Sequence, residues 1–232
     1  MKFNPSKCNI LSISRSTPLH KFYTLCGTIL DQVSESKYLG VTISNDLMWS
    51  KHIQNITSKA SSTVGLLRRN LARCPIKLRE QAYISLIRSR LEYCAAVWDP
   101  HLVKDVKSLE TIQRRAARFV VQDFSWYNRV TPHLQDLNWA PLKDRRRNIR
   151  LTLLYKIVTG NISVQMAEGT LSEADPRTRK KNSKKYKHLT GKTPQYKNSF
   201  FVNTIPEWNK LHESCITADT VTAFKARLSC TP

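Results

Sequence analysis

The sequence predicts a mainly helical α+β protein, a helical bundle preceded by a small N-terminal antiparallel β element. Three observations predict it. Short β-branched and aromatic runs broken by turn residues fill the chain before residue 45. From Ser50 the hydrophobic period changes from two to about 3.6. Amphipathic stripes of helical spacing then follow one another up to Gly160. With 232 residues, 41% of them hydrophobic, the chain is long enough to bury a core, and its composition argues against wholesale disorder.

The strand candidates come first. Cys8–Ser14 is short and β-prone, Phe22–Cys26 and Thr28–Leu30 flank Gly27 as a tight hairpin, and Lys37–Ile43 is the best strand, ended by Ser44-Asn45-Asp46. Because these strands are few, an exposed, poorly paired edge is expected around Cys8–Ser14 or Tyr38–Ile43. Ile53, Ile56, Ala60, Val64, Leu67 and Leu71 then share a helix face, with Ser50 as N-cap. Pro75 suits the first turn of a second helix, whose stripe runs Tyr83, Ile87, Leu91, Cys94, Trp98 until Asp99-Pro100 stops it. Leu102, Val106, Leu109, Ile112, Ala116 and Phe119 mark a third. Residues 123–144 read as a packed loop rich in aromatics. Arg145-Arg146-Arg147 opens a fourth helix, with Ile149, Leu153, Leu154, Ile157 and Val158 inside and Gly160 at its end. These limits divide the chain into residues 1–48, 49–160, a basic linker at 161–198 with disordered character, and a small C-terminal module at 199–232.

Charge is the strongest compositional feature. There are 38 Lys+Arg against 17 Asp+Glu, a net of +21. An acidic partner follows, and nucleic acid is the commonest one. Residues 51–160 alone carry 21 basic and 8 acidic side chains, a net of +13. No apolar run approaches the ~20 residues of a membrane span, and the first residues lack a signal-peptide core. A nuclear or cytoplasmic, non-secreted protein without a membrane partner is expected. The six cysteines are scattered without metal-ligand spacing, so neither a zinc site nor any other metal or cofactor is expected.

No catalytic constellation stands out. The chain has no adjacent Asp-Asp pair, nucleophile elbow, zincin helix or phosphate loop, and its histidines are isolated from one another. The positive features are basic. Arg114 and Arg118 lie four apart on one helix face with Arg115 beside them, a spacing that suits successive phosphates. Arg145, Arg146 and Arg147 crowd a helix start, where cations are mildly unfavourable unless an anion is near. Lys180, Lys181, Lys184 and Lys185 form a polybasic patch. A basic helical face is often only solvated, and most of the five tryptophans join apolar stripes and read as core.

Five segments carry a resemblance beyond composition. They are Asn4-Pro5-Ser6-Lys7-Cys8, Lys37–Ser44 with its Tyr-Leu-Gly, Leu91–Pro100, Leu109–Phe119 and Ser199–Leu211. In this order they resemble the end of the palm, the thumb and the C-terminal domain of non-LTR (LINE-type, jockey- or CR1-like) retrotransposon reverse transcriptases. The resemblance spans nearly the whole chain. It implies a truncated palm end plus a helical thumb-like bundle, and it makes Tyr38, Leu39 and Gly40 primer-grip-like. In the family the metal-binding aspartates precede the segment that resembles Asn4–Cys8. The implied protein is therefore a truncated RNA-directed DNA polymerase without catalysis of its own. Its implied partners are RNA or DNA, gripped by backbone phosphates, and the palm and fingers portion of the polymerase. A host protein that reuses the fold as a nucleic-acid or protein interaction module is the alternative.

Overall fold

A computed structural model describes residues 3–14, 21–175 and 183–229. After a single 3-10 turn at Pro5–Lys7 come six short strands: β1 (Asn9–Leu11), β2 (Thr24–Leu25), β3 (Thr28–Ile29), β4 (Asp31–Val33), β5 (Glu35–Tyr38) and β6 (Val41–Ser44). They pair two by two. β2–β3 and β5–β6 are antiparallel hairpins, so the small antiparallel element is present, while β1 and β4 pair in parallel, which the residue pattern does not disclose. Among the described residues no sheet exceeds two strands. The hairpin at Gly27 needs a correction. A one-residue turn cannot reverse a strand pair, and Cys26 leaves the strand to share the turn, with φ of 51° beside 77° at Gly27. Two successive positive φ values give the twist that antiparallel partners need.

The helices follow the first three predicted stripes with three informative departures, and the fourth is displaced: the helix Leu142–Val158 starts three residues before Arg145, and of Ile149, Leu153, Leu154, Ile157 and Val158 it buries only Leu154, beside Leu142, Leu151 and Tyr155. In α1 (Ser50–Asn70), Ile53, Ile56, Ala60, Val64 and Leu67 are buried. Ser50 is not its cap: Trp49 holds that position, and the Ser50 hydroxyl donates to Asp105 Oδ2 at 2.7 Å. The second stripe is broken into α2 (Ile76–Tyr83), a π-helical turn at Ile84–Arg88, α3 (Ser89–Glu92) and α4 (Ala95–Trp98). Its buried residues Tyr83, Ile87, Leu91 and Ala95 recur every four positions. At about 3.6 residues per turn such a stripe drifts by roughly one residue in three steps, and the wider π turn absorbs that residue. The stripe then restarts through Cys94, which is exposed with φ 53° instead of facing the core. Third, residues 123–144 are not all loop. They contain α6 (Val130–Asp136), in which only Val130 is buried, so no stripe betrays it.

Between these elements lies α5 (Val103–Val121), which packs most extensively on α1 and buries Leu109, Ile112, Ala116 and Phe119. α7 (Leu142–Val158) ends near Gly160, whose φ of 74° lets Ile162 N–H return to the Lys156 carbonyl at 3.1 Å. The C-terminal region adds α8 (Pro194–Lys197), α9 (Phe200–Trp208), α10 (Glu213–Ile216) and α11 (Val221–Ser229).

Two apolar clusters result. The first joins α1 through α6 with Leu142 of α7. The second joins Leu151, Leu154 and Tyr155 of α7 to Trp208, Leu211, Phe224 and Leu228. α7 is therefore the shared wall. The basic linker is partly folded onto the second cluster. Trp208 Nε1 donates to the Lys184 carbonyl at 2.8 Å, and the Asn209 side chain brackets the Tyr186 backbone at 3.0 and 2.8 Å. Among the described residues no helix is long and apolar enough to cross a membrane.

Candidate nucleic-acid interface

The β5–β6 hairpin pairs Lys37 with Thr42 and Tyr38 with Val41, leaving Leu39 and Gly40 as a two-residue turn at φ 45° and 87°. Val41, Thr42 and Ser44 are buried, and β6 packs on α1. Tyr38 and Leu39 point out, with Leu39 73% exposed. Tyr93 props the tip from behind: its hydroxyl donates to the Leu39 carbonyl at 3.0 Å. A Cβ at Gly40 would lie 3.2 Å from the Tyr93 ring, so this position is closed to larger residues both by φ and by contact.

Between the hairpin, α1, the π turn and α3 lies an open cleft of about 520 Å³. Lys37, Lys59 and Arg90 lend it positive charge, Ser85, Ser89 and Asn55 lend it hydrogen-bonding groups, and none of the described residues lining it is acidic. Arg90 Nη1 is steadied by Thr63 Oγ1 at 3.2 Å. Cations and hydroxyls on a rigid frame, with no carboxylate to repel phosphate, are suited to a nucleic-acid backbone.

His52 is buried beneath this cleft. Its Nδ1 accepts the Thr42 N–H at 3.1 Å, and its ring meets Trp98 edge-on at 5.1 Å. Burial lowers its pKa from 6.5. An accepting Nδ1 must be unprotonated, so the hairpin contact belongs to the neutral ring. The unfolded chain takes up this proton at higher pH than the folded one. Stability is therefore full above the unfolded pKa and is lost as pH falls from about 6.5 through the lower folded value. We expect the melting temperature to drop more between pH 7.5 and pH 5 in the wild type than in His52→Gln; parallel pH profiles would remove His52 from this role.

The sequence-predicted cations separate sharply. Arg114 and Arg115 are exposed on α5, Arg115 donating to Ser61 Oγ at 2.6 Å. Arg118 is half-buried and turns to backbone, donating to the carbonyls of Ser125 at 2.5 Å and Asn128 at 2.7 Å. Each member of the triple arginine is paired with an acid of the protein, Arg146 in the interior and Arg145 and Arg147 half-buried. Arg145 pairs with Glu92, fully buried Arg146 donates to Asp99 Oδ1 at 2.7 Å, and Arg147 lies 3.4 Å from Glu207. Acids brought in from distant segments thus neutralise three cations that the fold places at the fourth to sixth positions of α7, beyond its first residues. Lys184 is exposed and Lys185 half-buried, while Lys180 and Lys181 lie outside the described residues. Tyr38, Leu39 and Gly40 fall at the hairpin tip as one unit. The sequence reading missed Lys37, Lys59 and Arg90, because isolated cations on three elements form no run and only folding gathers them.

Carboxylates are dispersed. Glu35 pairs with Lys51 at 3.3 Å, and Asp46 accepts the Met48 N–H at 2.8 Å. Among the described residues no three His, Cys, Asp or Glu side chains are grouped to hold a metal ion.

Two curated proteins of Drosophila melanogaster are similar to this chain. The probable RNA-directed DNA polymerase from transposon BS is 27% identical over 150 residues, covering 62% of this chain and 16% of that protein. The RNA-directed DNA polymerase from mobile element jockey is 24% identical over 193 residues, covering 81% of this chain and 21% of that protein. The chain thus spans about a sixth to a fifth of the length of the curated relatives it matches. No protein-family profile matches it, and no solved structure does so significantly. Similarity to two transposon polymerases over most of the chain agrees with the order of its motifs: this is a reverse-transcriptase-like region of the non-LTR retrotransposon kind.

Proposed function

We propose that this chain is the thumb side of such a polymerase, which holds an RNA- or DNA-containing duplex by its phosphates and catalyses no polymerisation itself. The observation that carries this reading is the basic cleft free of acids behind the exposed Tyr38-Leu39-Gly40 tip. Arg114 and Arg115 offer further cations on α5. The palm and fingers portion of the polymerase is the protein partner that accompanies this reading, in the nucleus or cytoplasm where the template is found.

The experiment is fluorescence anisotropy with an RNA–DNA duplex across a salt series. Each phosphate neutralised contributes roughly 0.9 log units of affinity per log unit of salt on duplex DNA. The combined variant Lys37→Gln, Lys59→Gln, Arg90→Gln is expected to flatten the slope by about 2–3 units and weaken binding on all sequences alike. An unchanged slope would leave the cleft as an ordinary solvated surface. In the same preparation no metal-dependent primer extension is expected; extension abolished by substituting Asp31, Glu35 or Asp46 would overturn the non-catalytic part.

A further inference from the structure

The connection between α5 and α6 carries a second, different surface. Phe124, Trp126 and Tyr127 follow one another within four residues, and all three are exposed, Trp126 at 79%. The Trp126 and Tyr127 rings lie against each other with centroids 3.9 Å apart, so each keeps one face open. Of the five tryptophans it is the one left in solvent: Trp98, Trp139 and Trp208 are buried and Trp49 is half-buried.

The loop that shows these rings is held from within. Asp123 accepts the Ser125 N–H at 3.0 Å, Asn128 Nδ2 at 2.7 Å and His133 Nε2 at 2.8 Å. Hydrogen bonds from Asn128 and Ser125 hold its carboxyl below the usual range. Arg118 closes the loop from the α5 side through the Ser125 and Asn128 carbonyls. A loose loop would fold its aromatic residues inward to bury them; this one is pinned with them outward.

Its surroundings are cationic. The Arg68 guanidinium stands 4.1 Å over the Phe124 ring. Gln122 Nε2 donates to the Ala72 carbonyl, which ties the α1–α2 connection, with exposed Arg73 and, at the end of α1, exposed Arg69, to the base of the loop. Exposed Arg129 follows Tyr127 by two residues. The one acid within the loop, Asp123, has its carboxylate occupied by three donors.

We propose that Trp126 and Tyr127 form a stacking platform for the unpaired bases of single-stranded RNA or DNA, with Arg68, Arg69, Arg73 and Arg129 drawing in its backbone. An open π-face accepts any base, and stacking adds to phosphate attraction without sequence preference. Arg68 over Phe124 and exposed Arg129 two residues after Tyr127 put cations beside the rings, while the loop's one carboxylate is occupied, and that charge balance favours a polyanion. The inference rests on the nucleic-acid reading above but uses a separate surface, and a duplex, whose bases are already stacked, cannot use it.

The test compares single-stranded oligo(dT) and oligo(rU) with a duplex of equal length, on the full chain. Single strands are expected to quench tryptophan emission, because the exposed indole is the one they cover. Trp126→Phe should abolish the quenching while keeping most of the affinity. Trp126→Ala with Tyr127→Ala should weaken single-strand binding by about 10- to 100-fold and leave duplex binding unchanged. Equal loss on both forms, or loss on neither, overturns the platform. Self-association of the wild type that disappears in the alanine variant, at unchanged single-strand affinity, also overturns it and assigns the patch to protein contact. The cleft variant Lys37→Gln, Lys59→Gln, Arg90→Gln separates the two readings. If it weakens duplex binding while the aromatic variant changes nothing, the proposed function stands and the platform falls; if the wild type binds no nucleic acid in any form, both fall.

Discussion

Asp99→Ala is expected to destabilise the protein by about 3–5 kcal/mol, the scale for stripping one partner from a buried ion pair. Asp99 Oδ1 accepts Arg146 Nε at 2.7 Å, and its other oxygen lies 2.8 Å from Arg150 Nε. Both guanidinium groups are almost wholly buried. Arg150 retains Glu207, at 3.3 Å. Arg146 has no other acid among the described residues, and its Nη1 and Nη2 already lack hydrogen-bond partners. Removing Asp99 therefore leaves a full charge in the interior with nothing to offset it. Chemical denaturation of Asp99→Ala measures the loss. The double variant Asp99→Ala, Arg146→Met should recover most of it, because an apolar side chain in the guanidinium's place has no desolvation cost to repay. A single-variant loss below about 1 kcal/mol, or a double variant no better than the single, would mean that water reaches this network.

This network also shows how far the sequence could be read. The segment Leu91–Pro100 is one of those that carry the family resemblance, and in the fold its members are structural. Leu91 and Trp98 are buried, Glu92 and Asp99 receive Arg145 and Arg146, and Cys94 makes the left-handed break. Gln113 likewise donates to the Ala140 carbonyl at 3.0 Å. The helices were legible because their stripes are local and repeat at about 3.6 residues. The helix interrupted by a π turn looked continuous because a four-residue spacing still reads as helical over short stretches. The short strands could be located but not paired, since the parallel partnership of β1 with β4 joins residues more than 20 positions apart.

The candidate site divides along the same line. The hairpin tip Tyr38-Leu39-Gly40 came from the family resemblance; by residue pattern Lys37–Ile43 reads as one strand, and the fold breaks it at Leu39 and Gly40, whose φ values of 45° and 87° make the turn between β5 and β6. The arginine runs were visible but ambiguous: a dense run such as Arg145–Arg147 fits a polyanion and a set of internal acids equally well, and its partners Glu92, Asp99 and Glu207 lie 47 to 60 positions away. Conversely, the cations that do face the open cleft, Lys37, Lys59 and Arg90, are single residues on separate elements and form no pattern in the chain. Arg118 has a third role, since neither its charge nor its helical spacing shows that it caps the carbonyls of a loop beyond its own helix.

Trp208→Ala is expected to cost about 3–5 kcal/mol, the range for truncating a large buried aromatic side chain, and the loss should be local before it is global. Trp208 is fully buried and packs in the second cluster beside Phe224, 6.1 Å between ring centroids. Its Nε1 holds the Lys184 carbonyl, so truncation opens a cavity and also releases the basic segment from the C-terminal module. Leu151, Leu154 and Tyr155 would lose their cover, whereas the first cluster keeps its own contacts through α1 and α5. Amide exchange should therefore rise across α9 to α11 and residues 183–188 while α1 and α5 stay protected, the pattern of a separately opening unit. Trp208→Phe should keep most of the packing yet still free residues 183–188, because phenylalanine cannot donate to Lys184. If exchange rises equally in α1 and α5, the two clusters are one cooperative unit and α7 transmits the loss instead of containing it. If residues 183–188 stay protected in Trp208→Phe, the Asn209 bracket on Tyr186 and the hold of Glu213 on Ser183 are sufficient anchors.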